Sequence, residues 1–71
     1  MLREEDFPFH VEDWGKEGRT PFSVIALAQN QLVAKGAFLA AVRQYPESVL
    51  MLRHGARIME KHEPRRELPT L

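Results

Sequence analysis

Several features that many proteins have are absent from this chain of 71 residues. It contains no cysteine, so it has neither disulfides nor thiolate metal ligands, which is typical of the reducing cytoplasm. No apolar run approaches the roughly 20 residues needed to cross a bilayer. The acidic first residues contain no hydrophobic stretch of the kind found in a signal peptide. We therefore expect a cytoplasmic protein that does not associate with membranes.

The chain also has no net charge, because ten basic residues balance ten acidic ones. Neutralisation of phosphates supplies most of the affinity for nucleic acids, so zero net charge argues against that class of partner. The apolar fraction of 44% is enough for a folded domain. A chain of this length is close to the lower limit for a single stable core, so it benefits from pairing with another chain.

The first third of the chain predicts a β-hairpin. Within residues 7–14, Phe7, Phe9 and Val11 alternate with other residues at the spacing of a strand with one buried face. Residues 15–18 are polar with glycine at both ends, which is typical of a turn. Residues 20–29 contain a Phe-Ser-Val-Ile run that favours a second strand. We predict a loop of about five residues between the two strands.

Residues 30–46 contain the one clear helical pattern. Asn30 is a favourable N-cap, and Pro46 ends the helix. At about 100° per residue, five side chains fall on one side of the helix: Ala34, Ala37, Phe38, Ala41 and Tyr45. This alanine-lined stripe predicts close packing of the helix on a sheet.

The stretch "SVLMLRHGARIMEK", residues 48–61, predicts a second hairpin with Gly55 at its turn. A three-residue loop over 53–55 pairs Leu52 with Ala56 and Leu50 with Ile58, which makes one face aliphatic. Glycine suits the left-handed position of such a loop. The opposite face then carries the other side chains of the hairpin: Val49, Met51, Arg57, Met59 and Lys61.

These elements define an α+β fold with two layers and the order ββαββ. The predicted sheet has four strands, is mostly antiparallel, and has one helix packed on one face. Residues 1–6 are predicted as a flexible N-terminus, residues 7–62 as a single domain, and residues 63–71 as an extended or disordered tail. The second face of the sheet has no helix to cover it.

Two surfaces are candidates for protein contacts. Leu32 and Leu39 fall on the outer side of the helix, and exposed apolar surfaces often mark such contacts. The uncovered face of the sheet supplies the other candidates: His10, Glu12, Trp14, Met51 and Met59. Scattered exposed leucines are also common in monomers, so that alternative stays open. We expect the partner to be a second copy of the chain or another protein.

The second hairpin provides an alternative function, because it carries the most basic surface of the chain. The side chains available to contact nucleic acid are Arg53, Arg57, Lys61, Arg65 and Arg66. A β-ribbon with arginines can contact phosphates. However, glutamates are interleaved with these bases, and no aromatic residue among them can stack on a nucleobase. A solvated hairpin of mixed charge explains the same pattern.

Residues suited to catalysis or metal binding are few. His10 and Glu12 share a strand face and so have the residue types of a proton-transfer pair, but an ordinary solvent-facing strand explains them equally well. No serine lies in a nucleophile motif. The spacing of His10, His54 and His62 matches no known set of metal ligands. We expect no catalytic residue, no cofactor and no metal site, and we expect that the protein is not an enzyme.

Three motifs carry a resemblance to a known group. They are "VEDW" near the start, "AKGAFLAAVRQYP" on the helix, and "LRHGARIMEK" at the closing hairpin. Over residues 9 to 62 the chain resembles a family of small uncharacterised bacterial proteins with a ββαββ pattern. The resemblance implies no activity, cofactor or site residue.

Overall fold

The computed structural model describes residues 3–64. After a short 3-10 turn at Glu4–Asp6, five elements follow in the order ββαββ: β1 (Phe9–Asp13), β2 (Ser23–Ala28), α1 (Gln31–Gln44), β3 (Leu50–His54) and β4 (Arg57–His62). The α+β class and the element order are confirmed. The predicted flexibility of residues 1–6 stays a prediction, and most of the predicted tail lies outside the described residues.

The four strands form one antiparallel sheet in the order β2-β1-β3-β4. Helix α1 covers one face and packs on β1, β2 and β3. It makes little contact with β4, which extends past the helix at one side of the sheet. The two outer strands, β2 and β4, therefore differ in how well their inner faces are covered.

The core lies between α1 and the middle of the sheet. Its buried members are all apolar: Phe9, Val11, Ala28, Ala34, Phe38, Ala41, Leu50 and Leu52. The predicted alanine stripe of the helix is therefore confirmed. Tyr45 was also expected in that stripe, but it is the C-cap and is 46% exposed, since the helix ends one residue earlier.

Both ends of α1 follow from the local sequence. The backbone N–H of Val33 donates to the side-chain oxygen of Asn30 at 2.8 Å, which confirms Asn30 as the N-cap. At the other end, the N–H of Tyr45 donates to the carbonyl of Ala41, and Pro46 follows. Proline restricts the residue before it to extended conformations, so the helix does not continue.

The connection between β1 and β2 covers residues 14–22, so the predicted loop of about five residues is wrong. The first part of this connection docks on Val49. The Trp14 N–H donates to the Val49 carbonyl and the Val49 N–H donates to the Gly15 carbonyl, both at 2.8 Å. A Cβ on Gly18 would lie only 3.0 Å from a methyl carbon of Val49. The loop is long because it packs on the residue before β3 and then returns to start β2.

Gly55 turns the second hairpin with a φ of +62°, as predicted. The loop, however, consists of two residues, Gly55 and Ala56, because His54 pairs with Arg57. Glycine at the first of two loop positions is typical of a type II′ turn. The predicted three-residue loop is therefore wrong.

The pairing then shifts by one residue, so that Met59 forms a bulge in β4. Two of the four residues predicted for the aliphatic face, Ala56 and Ile58, are consequently not part of it. Ala56 is exposed in the turn, and Ile58 is 51% exposed on the face opposite the helix. Met59 was predicted on that face, but it packs against the core. Because the helix does not cover β4, an Ile58 side chain on the inner face of this strand would bury little apolar surface. The turn geometry at Gly55 sets the register instead.

Candidate interaction surfaces

The face of the sheet opposite the helix, here called the open face, carries two rows of side chains. Residues paired across neighbouring antiparallel strands point to the same side of a sheet. From β2 to β4, one row is Val24, Glu12, Met51 and Lys61, and the other is Leu27, His10, Arg53 and Ile58. The middle of this face is therefore mainly polar, and apolar residues lie toward both edges.

Glu12 lies at the centre of the open face and is only 4% exposed. One carboxylate oxygen accepts a hydrogen bond from Arg53 Nη2 at 2.8 Å, and the other accepts one from Trp14 Nε1 at 3.0 Å. Both oxygens of this buried carboxylate therefore have donors, as a buried charge requires. The cluster of Glu12, Trp14 and Arg53 joins β1 to β3, and its outer side chains shield the carboxylate from solvent.

His10 contacts the N-terminal turn rather than Glu12. Its Nε2 lies 3.0 Å from the carbonyl oxygens of Glu4 and of Phe7, so this nitrogen carries the donated hydrogen. Its Nδ1 is 3.9 Å from Glu12 Oε2, which is too long for a hydrogen bond. Proton transfer between the two side chains therefore has no direct hydrogen bond to follow. His10 instead holds the turn Glu4–Asp6 against the sheet.

The structure thus brings together four of the side chains predicted for the uncovered face: His10, Glu12, Trp14 and Met51. Met51 is only 5% exposed, so the middle of this face offers little apolar surface. The exposed apolar side chains of this face are Val24 and Ile58, which are 41% and 51% exposed. They lie on the two outer strands.

The outer side of the helix exposes the two leucines singled out from the sequence. Leu32 is 85% exposed and Leu39 is 45% exposed. Leu32 also lines a groove of about 480 Å³ between α1 and β4, together with Met59. Lys35 crosses this groove and forms an ion pair with Glu60 at 3.0 Å. The two leucines therefore lie among charged side chains and do not form a continuous apolar patch.

The basic residues of the second hairpin do not share one surface. Arg53 on the open face is paired with Glu12, and Lys61 is paired with Glu63 at 3.0 Å. Arg57 was predicted on the same face as Lys61, but it pairs with His54 on the opposite face because of the bulge. The remaining two candidates, Arg65 and Arg66, lie outside the described residues.

The three histidines lie in separate places. The ring of His54 stacks on Phe9 with 4.5 Å between centroids, whereas His62 Nε2 is 3.2 Å from the Pro46 carbonyl oxygen. Within residues 3–64, no group of three histidine, aspartate or glutamate side chains is arranged to hold a metal ion.

One surface was not identified from the sequence: the outer edge of β2. Residues 20–34 contain no charged side chain. Three large apolar side chains in this segment are exposed outside the groove between α1 and β4: Phe22 (78%), Val24 (41%) and Val33 (58%). A groove of about 430 Å³ follows β2 from Val24 to Leu27, and Glu4 is the one charged residue that lines it. The absence of charge from residues 20–34 was the signal that could have found this edge.

Comparisons with protein-family models, with curated protein sequences and with solved structures find no match to this chain. Among the described residues, no helix is long and apolar enough to cross a membrane. The ββαββ order is thus established by the structure, and the resemblance to small bacterial proteins stays an expectation from the sequence.

Proposed function

We propose that this protein is a homodimerisation module without catalytic activity. The observation that carries the proposal is the position of its exposed apolar side chains. Within residues 3–64, seven large apolar residues are exposed, and three of them, Phe22, Val24 and Val33, lie in the uncharged segment 20–34 outside the groove between α1 and β4. Neighbouring exposed apolar side chains are typical of a contact with another protein.

The size of the domain supports the same proposal. A single small core gives limited stability, and burial of apolar surface in a dimer adds to it. A standard interface buries about 800 Å² on each partner, which is about one-seventh of the 5704 Å² surface of this chain. The surface of this small chain is therefore large enough for one interface of standard size.

The alternative, binding of nucleic acid by the second hairpin, has weaker support. Arg53 and Lys61 are already paired with carboxylates, and Arg57 projects from the other face. Binding of phosphates would require these ion pairs to open. Retention on heparin at low salt, falling steeply as salt is added, would favour this alternative.

Sedimentation equilibrium of the full chain tests the proposal. We expect the apparent mass to rise from 8.2 kDa toward twice that value as the concentration increases from micromolar to submillimolar. Added sulfate should strengthen an association that buries apolar surface, whereas it would weaken one held by surface charges. A mass of 8.2 kDa at every concentration would overturn the proposal.

A further inference from the structure

We infer that two copies of the chain join through the outer edges of their β2 strands, antiparallel, to form one continuous sheet of eight strands. The inference rests on the proposed homodimerisation and specifies its surface. Each copy would contribute its four strands in the order β2-β1-β3-β4, with the two β2 strands at the centre.

The backbone of β2 is available for pairing on one side. This strand pairs with β1 on one side and with no other described strand on its other side. In an antiparallel sheet, alternate residues of an outer strand direct their N–H and C=O groups away from the sheet. A second strand satisfies these groups, and addition of a strand is a common way in which sheets bind a partner.

The two edges of the sheet differ in how well they are protected against pairing. Proteins protect outer strands with charged side chains and with bulges. Both outer strands here contain a bulge, one at Ile25 in β2 and one at Met59 in β4. Only β4 carries charges, at Arg57, Glu60 and Lys61. Since the bulges are common to both strands, the charges distinguish the edges, and β2 is the unprotected one.

The β2 edge can also pair with a copy of itself. A dimer with twofold symmetry brings the same surface of each copy together, so like charges on that surface would repel. Residues 20–34 contain no charge, so two β2 strands meet without repulsion within this segment; Glu4, from the N-terminal turn, is the one charged residue that lines the groove along β2. The pairing also closes on itself, whereas pairing of β2 with β4 of another copy would continue into a filament.

The side chains beside β2 extend this surface. Lys35 of α1 points toward β4, because it pairs with Glu60. Val33 precedes it by two residues and so projects about 200° away around the helix, toward β2. Val33 is 58% exposed and Phe22, just before β2, is 78% exposed. Both side chains can be covered when a second β2 strand lies alongside.

A pair of matched substitutions tests the surface. Val24→Lys adds a charge to β2, and Ile58→Lys adds the same charge to β4; both positions are partly exposed on the open face. We expect Val24→Lys to raise the dissociation constant of the dimer by about tenfold or more, and Ile58→Lys to leave it within about twofold. Circular dichroism and thermal unfolding of each variant establish that the monomer is still folded.

Hydrogen exchange, followed residue by residue by NMR, tests the same inference without a substitution. As the concentration rises through the dissociation constant, the outward-facing amides of Ser23–Ala28 should become protected, and those of Arg57–His62 should not. If Arg57–His62 became protected instead, or if neither strand of a dimer gained protection, the β2 pairing would be overturned. The proposed homodimerisation would not be affected by that result. A chain that stays monomeric would overturn both.

Discussion

The two outer strands of this sheet have the same length but present different surfaces. β2 is uncharged from end to end, and helix α1 covers its inner face. β4 carries three charged side chains, and the helix hardly contacts it. The β2 edge therefore combines firm support from the helix with an unprotected backbone, whereas the β4 edge is weakly supported and is protected by charges. A partner strand is therefore expected at β2.

Phe38→Ala should have the largest effect on stability, because it removes the main contact of the helix that supports β2 and not β4. Phe38 is 5% exposed and is the largest side chain that the helix buries. Removing its ring should lower the free energy of unfolding by about 3–5 kcal/mol, which is most of the stability of a small domain. Urea denaturation measures the change, and Phe38→Leu, which retains much of the apolar volume, serves as the control. A loss below about 1 kcal/mol would mean that the helix is not what supports β1, β2 and β3.

Glu12→Ala should cause a smaller loss of stability. Glu12 lies at the centre of the open face, between the two outer strands. The substitution leaves Arg53 Nη2 and Trp14 Nε1 without their acceptor, so unfolding should require about 1–3 kcal/mol less. Glu12→Gln keeps a neutral acceptor and should lose less. Thermal unfolding followed by the fluorescence of the single tryptophan measures both variants. Equal stability of all three proteins would show that the cluster does not tie β1 to β3.

The hairpin that carries β4 should be weakened by Gly55→Val. A Cβ at this position meets no other atom within 4 Å, so the effect comes from the positive φ alone. We expect a loss of about 1–2 kcal/mol in the free energy of unfolding. Gly36 in the helix has equally open surroundings but an ordinary φ, so Gly36→Ala should instead gain about 0.5–1 kcal/mol. If both substitutions changed stability in the same direction, the φ argument would be wrong.

Asn30→Ala tests how firmly the helix begins at the end of β2. The loss of the hydrogen bond from Val33 N–H to the Asn30 side chain should cost about 1 kcal/mol. Asn30→Ser retains a capping oxygen, so its free energy of unfolding, measured by chemical denaturation, should be close to that of the unmodified protein. An unchanged free energy of unfolding for Asn30→Ala would indicate that the first turn finds another acceptor.

The smallest effect is expected at the ion pair that links the helix to β4. Lys35 and Glu60 are 45% and 42% exposed, so their coupling should be below about 1 kcal/mol and should fall as salt is added. A double-mutant cycle with Lys35→Met and Glu60→Gln isolates this coupling. A coupling above about 1 kcal/mol would mean that the helix stabilises β4 more nearly as it stabilises β2. The contrast between the two edges would then be weaker.

The sequence predicted the parts of this fold that depend on local chemistry. Asn30, Pro46 and Gly55 each determine the backbone within a few residues, and the helix limits and the turn of the second hairpin follow from them. The strands of the first hairpin were predicted from their residue pattern, but the length of its loop was wrong. The register of the second hairpin was not predicted, because a glycine at position 55 suits a two-residue loop as well as a three-residue one. The two-residue turn and the bulge at Met59 shift the pairing by one residue, so the exposure of Ile58 and the burial of Met59 did not follow from the pattern.

The open face shows the same limit. The sequence placed His10, Glu12 and Trp14 together, but it did not indicate that Arg53 would pair with Glu12 and bury it. Arg53 lies 41 residues away and belongs to another strand, so only the order of the strands brings it close. The unprotected edge of β2 was missed for a related reason. The absence of charge from residues 20–34 is visible in the sequence, but only the strand order shows that this segment contains an outer strand.

Gly18 has a consequence for how this chain can vary or be engineered. A side chain there would press on the methyl groups of Val49 and would also have to adopt a φ of +69°, so the first half of the long connection has a fixed length and path. Residues 19–22, by contrast, are exposed. The fold should therefore tolerate an inserted tag, epitope or extra residues between Arg19 and Pro21, before the Phe22 side chain of the proposed interface. An insertion between Trp14 and Gly18 would displace Gly18 from Val49 and should not be tolerated.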